Sequence, residues 1–147
     1  MTRRGQGILV ALAVIIGVAL VAGAMVVLAR SSAPAQAPAN VIRGNDKPNQ
    51  LVGTNRRDKI LGYGASDRIR GRGAGDMLKG GSGGDEIGGG KGFDRIVGGH
   101  GNDRINARDG HADEIDCGAG RKDFAKVDRR EDGVFDCETV RSPRGPN

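Results

Sequence analysis

A nine-residue period runs through the middle of this 147-residue chain and constrains its fold more than any other feature. Read from Gly44, the blocks are GNDKPNQLV, GTNRRDKIL, GYGASDRIR, GRGAGDMLK, GGSGGDEIG, GGKGFDRIV and GGHGNDRIN, followed by ARDGHADEID with one extra residue. Position one is Gly44, Gly53, Gly62, Gly71, Gly80, Gly89 and Gly98. Position six is Asn49, then Asp58, Asp67, Asp76, Asp85, Asp94, Asp103 and Asp113. Position eight is Leu51, Ile60, Ile69, Leu78, Ile87, Ile96, Ile105 and Ile115. Three columns in register over eight blocks identify a stacked repeat architecture, because each block is too small to bury its own apolar face.

Each column has a physical use. A lone aliphatic between two other residues is the centre of a three-residue strand with its side chain inward. The remaining six residues must reverse the chain, and glycine supplies the positive φ angles that tight turns need. Two strands and two turns then make a coil of eighteen residues, and coils stack about 4.8 Å apart. The expected fold is all-β, a right-handed parallel β-roll of about eight nonapeptide repeats. Alternate blocks share an edge, so Asn49, Asp67, Asp85 and Asp103 line one edge and Asp58, Asp76, Asp94 and Asp113 the other. A column of carboxylates at that spacing is unfavourable without a counter-ion. Calcium suits it, since it takes 6–8 oxygen ligands and accepts backbone carbonyls beside carboxylates.

The blocks at 80–88, 89–97 and 98–106 match G-G-x-G-x-D-x-U-x at every fixed position. That pattern resembles the haemolysin-type calcium-binding repeat, the RTX repeat. The resemblance implies calcium held between turns two blocks apart by position-six carboxylates and turn carbonyls. Carried onto this chain, it gives Asp76, Asp85, Asp94, Asp103 and Asp113 with Gly80, Gly83, Gly89, Gly92, Gly98 and Gly101 as the metal-binding set. The best pairs are Asp85 with Asp103 and Asp76 with Asp94, and Asp58 and Asp67 are weaker candidates. The early turns depart from the pattern. Position four is Lys47, Arg56, Ala65 and Ala74 before it becomes glycine, and position two is Asn45, Thr54, Tyr63 and Arg72. Residues 44–79 carry eight basic and four acidic side chains, and residues 80–116 four and eight. Arg56, Arg57, Lys59, Arg68, Arg70 and Arg72 are therefore expected to neutralise the early carboxylates without metal.

Composition argues that metal matters for folding. The chain has 27 glycines, no tryptophan, one tyrosine and three phenylalanines, so one small aliphatic per block must balance the entropy of ordering nine residues. Residues 41–147 are expected to be largely disordered without calcium and to gain β structure on adding it.

Residues 8–29 are apolar or small and uncharged, long enough to span about 30 Å of hydrocarbon. Arg3 and Arg4 precede them and Arg30 follows, which places the N-terminus in the cytoplasm and the remainder outside. Residues 1–30 are thus expected to be a transmembrane signal anchor or a cleaved signal peptide, and residues 31–43 a linker. After residue 116 the period breaks. Two short alternating runs flank Asp132-Gly133, a hairpin signal, so residues 117–141 are expected to form a β-hairpin cap ahead of a disordered tail at 142–147. Cys117 and Cys137 are expected to pair, as two cysteines outside the membrane do. The alternative is a zinc site with His100 or His111, which their spacing disfavours.

These features point to a non-enzymatic calcium-binding protein on the outer face of the cell membrane, or secreted if the segment is cleaved. No nucleophile–base arrangement is apparent. The other reading is a cell-surface or cell-wall polyanion binder using the basic early repeats. Nucleic acid is not expected, because stacking side chains are nearly absent.

Overall fold

The computed structural model describes residues 40–128 and 133–143. The expected membrane segment and most of the linker lie outside these residues. Among the described residues there is no helix, so none long and apolar enough to cross a membrane.

Twelve strands alternate between two sheets. One holds β1 (Asn40–Arg43), β3 (Asp58–Tyr63), β5 (Met77–Ser82), β7 (Arg95–His100), β9 (Glu114–Ala119) and β11 (Gly133–Phe135), in that order. The other holds β2 (Gln50–Val52), β4 (Arg68–Gly73), β6 (Glu86–Lys91), β8 (Arg104–Asn106), β10 (Phe124–Lys126) and β12 (Thr139–Arg141). Every pairing is parallel. Ile60 sits opposite Leu78, and Leu78 opposite Ile96, which is the eighteen-residue coil expected from the period. The structure is an all-β parallel solenoid of about five turns.

The position-eight aliphatics point between the sheets. Ile60, Ile69, Leu78, Ile87, Ile96, Ile105 and Ile115 are essentially fully buried, and Leu51 nearly so. Their neighbours at positions seven and nine face outward, as strand alternation requires.

Three features differ from the sequence reading. Six of the strands run for six residues, not three. Glycines at positions one and two let adjacent coils approach closely enough to continue the ladder into the turn, as where Gly81 pairs with Gly99. The expected C-terminal hairpin does not form. β10 and β11 lie in opposite sheets and extend them in parallel. β11 does not turn back onto β10: at its first residue the Gly133 amide donates to the Asp113 carbonyl at 2.8 Å. That bond is the counterpart of the one from the Glu114 amide to the Asp94 carbonyl. Ala125 continues the inward column of Ile105, and Val134 that of Ile115. The ladder also begins at Asn40, inside the expected linker.

Cys117 and Cys137 form a disulfide with Cα atoms 5.1 Å apart, which removes the zinc alternative. His111 instead faces Asp109 at 3.0 Å.

Candidate metal centre: the aspartate columns

Position six precedes the outward position-seven residue at the start of each strand, so its side chain turns back under the turn it closes. All seven position-six aspartates, Asp58, Asp67, Asp76, Asp85, Asp94, Asp103 and Asp113, are buried. They stack in the two columns expected. On one edge the Asn49 amide donates to Asp67 Oδ1, Asp67 to Asp85 and Asp85 to Asp103, each at 2.7 Å. On the other, Asp58 donates to Asp76, Asp76 to Asp94 and Asp94 to Asp113, each at 2.8 Å. The expected pairs Asp85–Asp103 and Asp76–Asp94 are therefore neighbours in a column.

One carboxylate oxygen per turn is thereby used. The other, Oδ2 of Asp67, Asp76, Asp85, Asp94 and Asp103, is buried and accepts no hydrogen bond. It is directed at the position-one glycine of its own turn. A Cβ on Gly80 would land against Asp85 Oδ2 and the Gly98 carbonyl oxygen. A Cβ on Gly62 would meet Asp67 Oδ2 and the Gly80 carbonyl, and one on Gly71 would meet Asp76 Oδ2 and the Gly89 carbonyl. At Gly98 the pair is Asp103 Oδ2 and the Cys117 carbonyl. Gly89 meets Asp94 Oδ2. Each turn thus brings a carboxylate oxygen beside a hydrogen-sized gap with no donor, and four of these five add a backbone carbonyl from the next coil. Buried oxygens converging without a donor are costly, and a hard cation with oxygen preference removes that cost.

The electrostatics agree. Burial raises Asp76 from 3.8 to about 7, with Asp94 and Asp58 adding to the rise. Burial raises Asp94 and Asp103 to about 6. It also raises Asp67 and Asp85 above the ordinary carboxylate range. Amide donation from the preceding coil offsets part of each shift.

The position-four glycines have a different part. Gly83, Gly92 and Gly101 adopt φ of 124°, 117° and 125°, and a Cβ on any of them would strike the backbone of the coil before. The early turns differ in backbone as well as sequence. Tyr63 and Arg72 at position two have φ of 82° and 86°, and Ala65 and Ala74 at position four have 64° and 69°. These are left-handed values that residues with a Cβ tolerate at some cost. In the second turn the Thr54 amide and hydroxyl both donate to Asp58 Oδ2, at 2.5 and 3.0 Å. There the turn itself satisfies Oδ2, while Asp58 Oδ1 is buried and accepts no hydrogen bond.

The expected neutralisation by early basic residues is only marginally present. Arg57 lowers Asp76 slightly, but no basic group appears among the causes acting on Asp67. Arg68 pairs with Glu86 across the sheet face, at 2.8 Å. The reason is register: position seven points outward, away from the column.

Sequence reasoning missed two members of the first column. The Asp103 amide donates to Asp123 Oδ1 at 2.7 Å, and the Asp123 amide to Glu138 Oε2 at 2.7 Å. The signal was a carboxylate two residues before a strand-centre apolar side chain, Asp123 before the buried Ala125 and Glu138 before its register partner Val140. Among the described residues no three histidine, cysteine, aspartate or glutamate side chains converge on one point. An ion here would take its ligands from stacked carboxylates and turn carbonyls.

No curated protein and no solved structure matches the chain significantly. The family model for the RTX calcium-binding nonapeptide repeat, which describes four copies, matches residues 40–78 and again 79–116, together just over half of the chain. With its position-six columns and glycine cradles in place over those same residues, the chain belongs to the RTX calcium-binding nonapeptide repeat family.

Proposed function

We propose that this protein is a non-enzymatic, extracellular calcium-binding roll, tethered to the outer face of the membrane by residues 8–29 or released when that segment is cleaved. The observation that carries the calcium reading is the buried Oδ2 of Asp67, Asp76, Asp85, Asp94 and Asp103, which accepts no hydrogen bond and lies against the glycine of its own turn. Asp76, Asp85, Asp94, Asp103 and Asp113 hold the ions, with turn carbonyls completing the shell, and Asp58 and Asp67 contribute less. Gly80, Gly89 and Gly98 let the backbone lie against the carboxylates of Asp85, Asp94 and Asp103, where a Cβ would clash, and Gly83, Gly92 and Gly101 let the turns stack. Bound calcium would supply the positive charge that these buried oxygens lack, and they would coordinate it. The ionised columns then stabilise the roll that they would otherwise oppose, so binding and folding are coupled. The apolar run at residues 8–29 and the basic pair before it support the location.

Circular dichroism of the chain in chelator and in millimolar calcium, with equilibrium dialysis, tests this reading. Calcium is expected to bring a β spectrum and bind in several equivalents. An ordered spectrum in chelator that calcium leaves unchanged would overturn the coupling.

One observation favours a second reading, a polyanion-binding surface. On the outward face of the β2–β12 sheet, Arg70, Arg104 and Lys126 are exposed and make no ion pair among the described residues. They border a depression of about 310 Å³ floored at Gly88. The basic surface therefore runs along one sheet face and is not confined to the early repeats. Binding of an acidic polysaccharide that weakens with salt and with Arg70→Glu or Arg104→Glu would support it. Binding unaffected by either change would exclude it.

A further inference from the structure

We propose a further calcium site beyond the recognised repeats, formed by Asp123 and Glu138 with the Gly101 carbonyl at the turn containing Gly120. This inference rests on the calcium reading above. The family match ends at residue 116, but the carboxylate column does not. Asp123 stacks beneath Asp103, and Glu138 beneath Asp123, through the same amide-to-carboxylate bond that joins every earlier pair.

Asp123 is fully buried and its Oδ2 accepts no hydrogen bond. The gap it faces is of the same kind as those upstream but displaced within the turn. A Cβ on Gly120 would meet the Gly101 carbonyl oxygen and both oxygens of Asp123. In this turn the position-one residue is Cys117, and the glycine packed against the carboxylate is Gly120 at position four. Gly120 also lines an accessible depression with Asn102, Ala119, Arg121 and Lys122, so Asp123 and the Gly101 carbonyl oxygen meet beside solvent.

Among the described residues no cation forms an ion pair with either carboxylate. Arg121 and Lys122 are exposed and form no ion pair with Asp123 or Glu138 among the described residues. Burial raises the Asp123 carboxyl above the ordinary range, and the neighbouring Glu138 adds to that rise. Two carboxylates and a carbonyl oxygen, one carboxylate buried and the other exposed, suit a hard divalent ion that keeps part of its water shell. The disulfide contributes by placement. Cys137 is bonded to Cys117 and directly precedes Glu138, so the cross-link fixes the ligand that closes the column.

The test is calcium titration of the full chain, wild type against Glu138→Gln, with hydrogen exchange of residues 117–126 as a local readout. Gln keeps the acceptor for the Asp123 amide and Glu138 is exposed, so the variant is expected to fold. It should bind one calcium fewer, and calcium-dependent protection of residues 117–126 should be lost while residues 58–106 stay protected. Asp123→Asn, measured in the same way, should lose the same ion. Unchanged stoichiometry and unchanged protection in Glu138→Gln would overturn the terminal site and leave the upstream sites standing. A wild-type chain that binds no calcium would overturn both readings.

Discussion

Replacing Gly101 by alanine tests whether close stacking of the turns holds the roll together. Gly101 has φ of 125°, a region essentially closed to other residues, at a cost of about 1–3 kcal/mol. Its new Cβ would also lie 2.6 Å from the Gly83 carbonyl carbon and nearer still to the oxygen. Both are backbone atoms, so the two coils must separate. The separation strains the bonds on either side, from the Gly83 amide to the His100 carbonyl at 2.8 Å and from the Gly101 amide to the Ala119 carbonyl at 2.9 Å. Each is worth about 1 kcal/mol net. The expected loss is roughly 3–5 kcal/mol. Gly88→Ala is the control, because its φ is not positive and nothing lies within 4 Å of the added carbon. It should gain about 0.5–1 kcal/mol, as alanine does over glycine in a strand. Urea unfolding in saturating calcium, followed by circular dichroism, measures both. A Gly101→Ala chain within about 1 kcal/mol of wild type, or a Gly88→Ala chain losing as much as Gly101→Ala, would refute the stacking argument.

Three other outcomes are expected. Asp76, Asp94 and Asp103 are raised from 3.8 to about 7, 6 and 6 in the ion-free roll, so the folded state binds more protons than the unfolded chain between those values. Ion-free stability is then greatest below about pH 4 and falls as pH rises to about 7. Thermal melts in chelator should give a higher midpoint at pH 5 than at pH 8, and the reverse order would contradict the assignment. Ile96→Ala removes a fully buried core side chain and should cost about 2–5 kcal/mol, against about 0.5–1.5 for Ile96→Val, by urea titration in calcium. Paired replacement of Cys117 and Cys137 by serine opens a cross-link spanning 20 residues and should lower stability by about 3 kcal/mol, read as a shift of the unfolding midpoint under otherwise identical conditions.

The period made the coil, its core and both aspartate columns legible, because a fixed spacing of nine maps directly onto a fixed place in space. It failed where the spacing changed. Asp123 follows Asp103 by twenty residues and Glu138 follows Asp123 by fifteen, and their strand-centre partners are Ala125 and Val140 in place of isoleucine or leucine. A rule counting nines cannot see them, whereas a rule looking for a carboxylate two residues before a small or aliphatic side chain can. The hairpin expectation failed for a related reason. Asp-Gly favours a tight turn locally, but an open parallel edge on β9 offers the β11 amides and carbonyls a ready ladder, and pairing there also buries part of Val134. Strand length was hidden because glycine is normally a poor strand residue. Here the next coil's proximity makes it the residue that fits.

The number of buried oxygens left without a donor is graded along the roll. At the N-terminal end the turn supplies its own donor, the Asn45 amide to Asn49 Oδ1 and the Thr54 amide and hydroxyl to Asp58 Oδ2. Asn49 is neutral and begins its column among the described residues, so it adds no charge to those below. From Asp67 to Asp103 the corresponding oxygen has no donor. The backbone change comes two turns later. The turns of Asp67 and Asp76 keep left-handed Tyr63, Ala65, Arg72 and Ala74, whereas Gly81, Gly83, Gly90, Gly92, Gly99 and Gly101 follow with φ between 113° and 125°. The two changes are therefore separable: loss of the turn's own donor creates the demand for positive charge, and glycine then removes the left-handed strain of a turn that already lacks that donor.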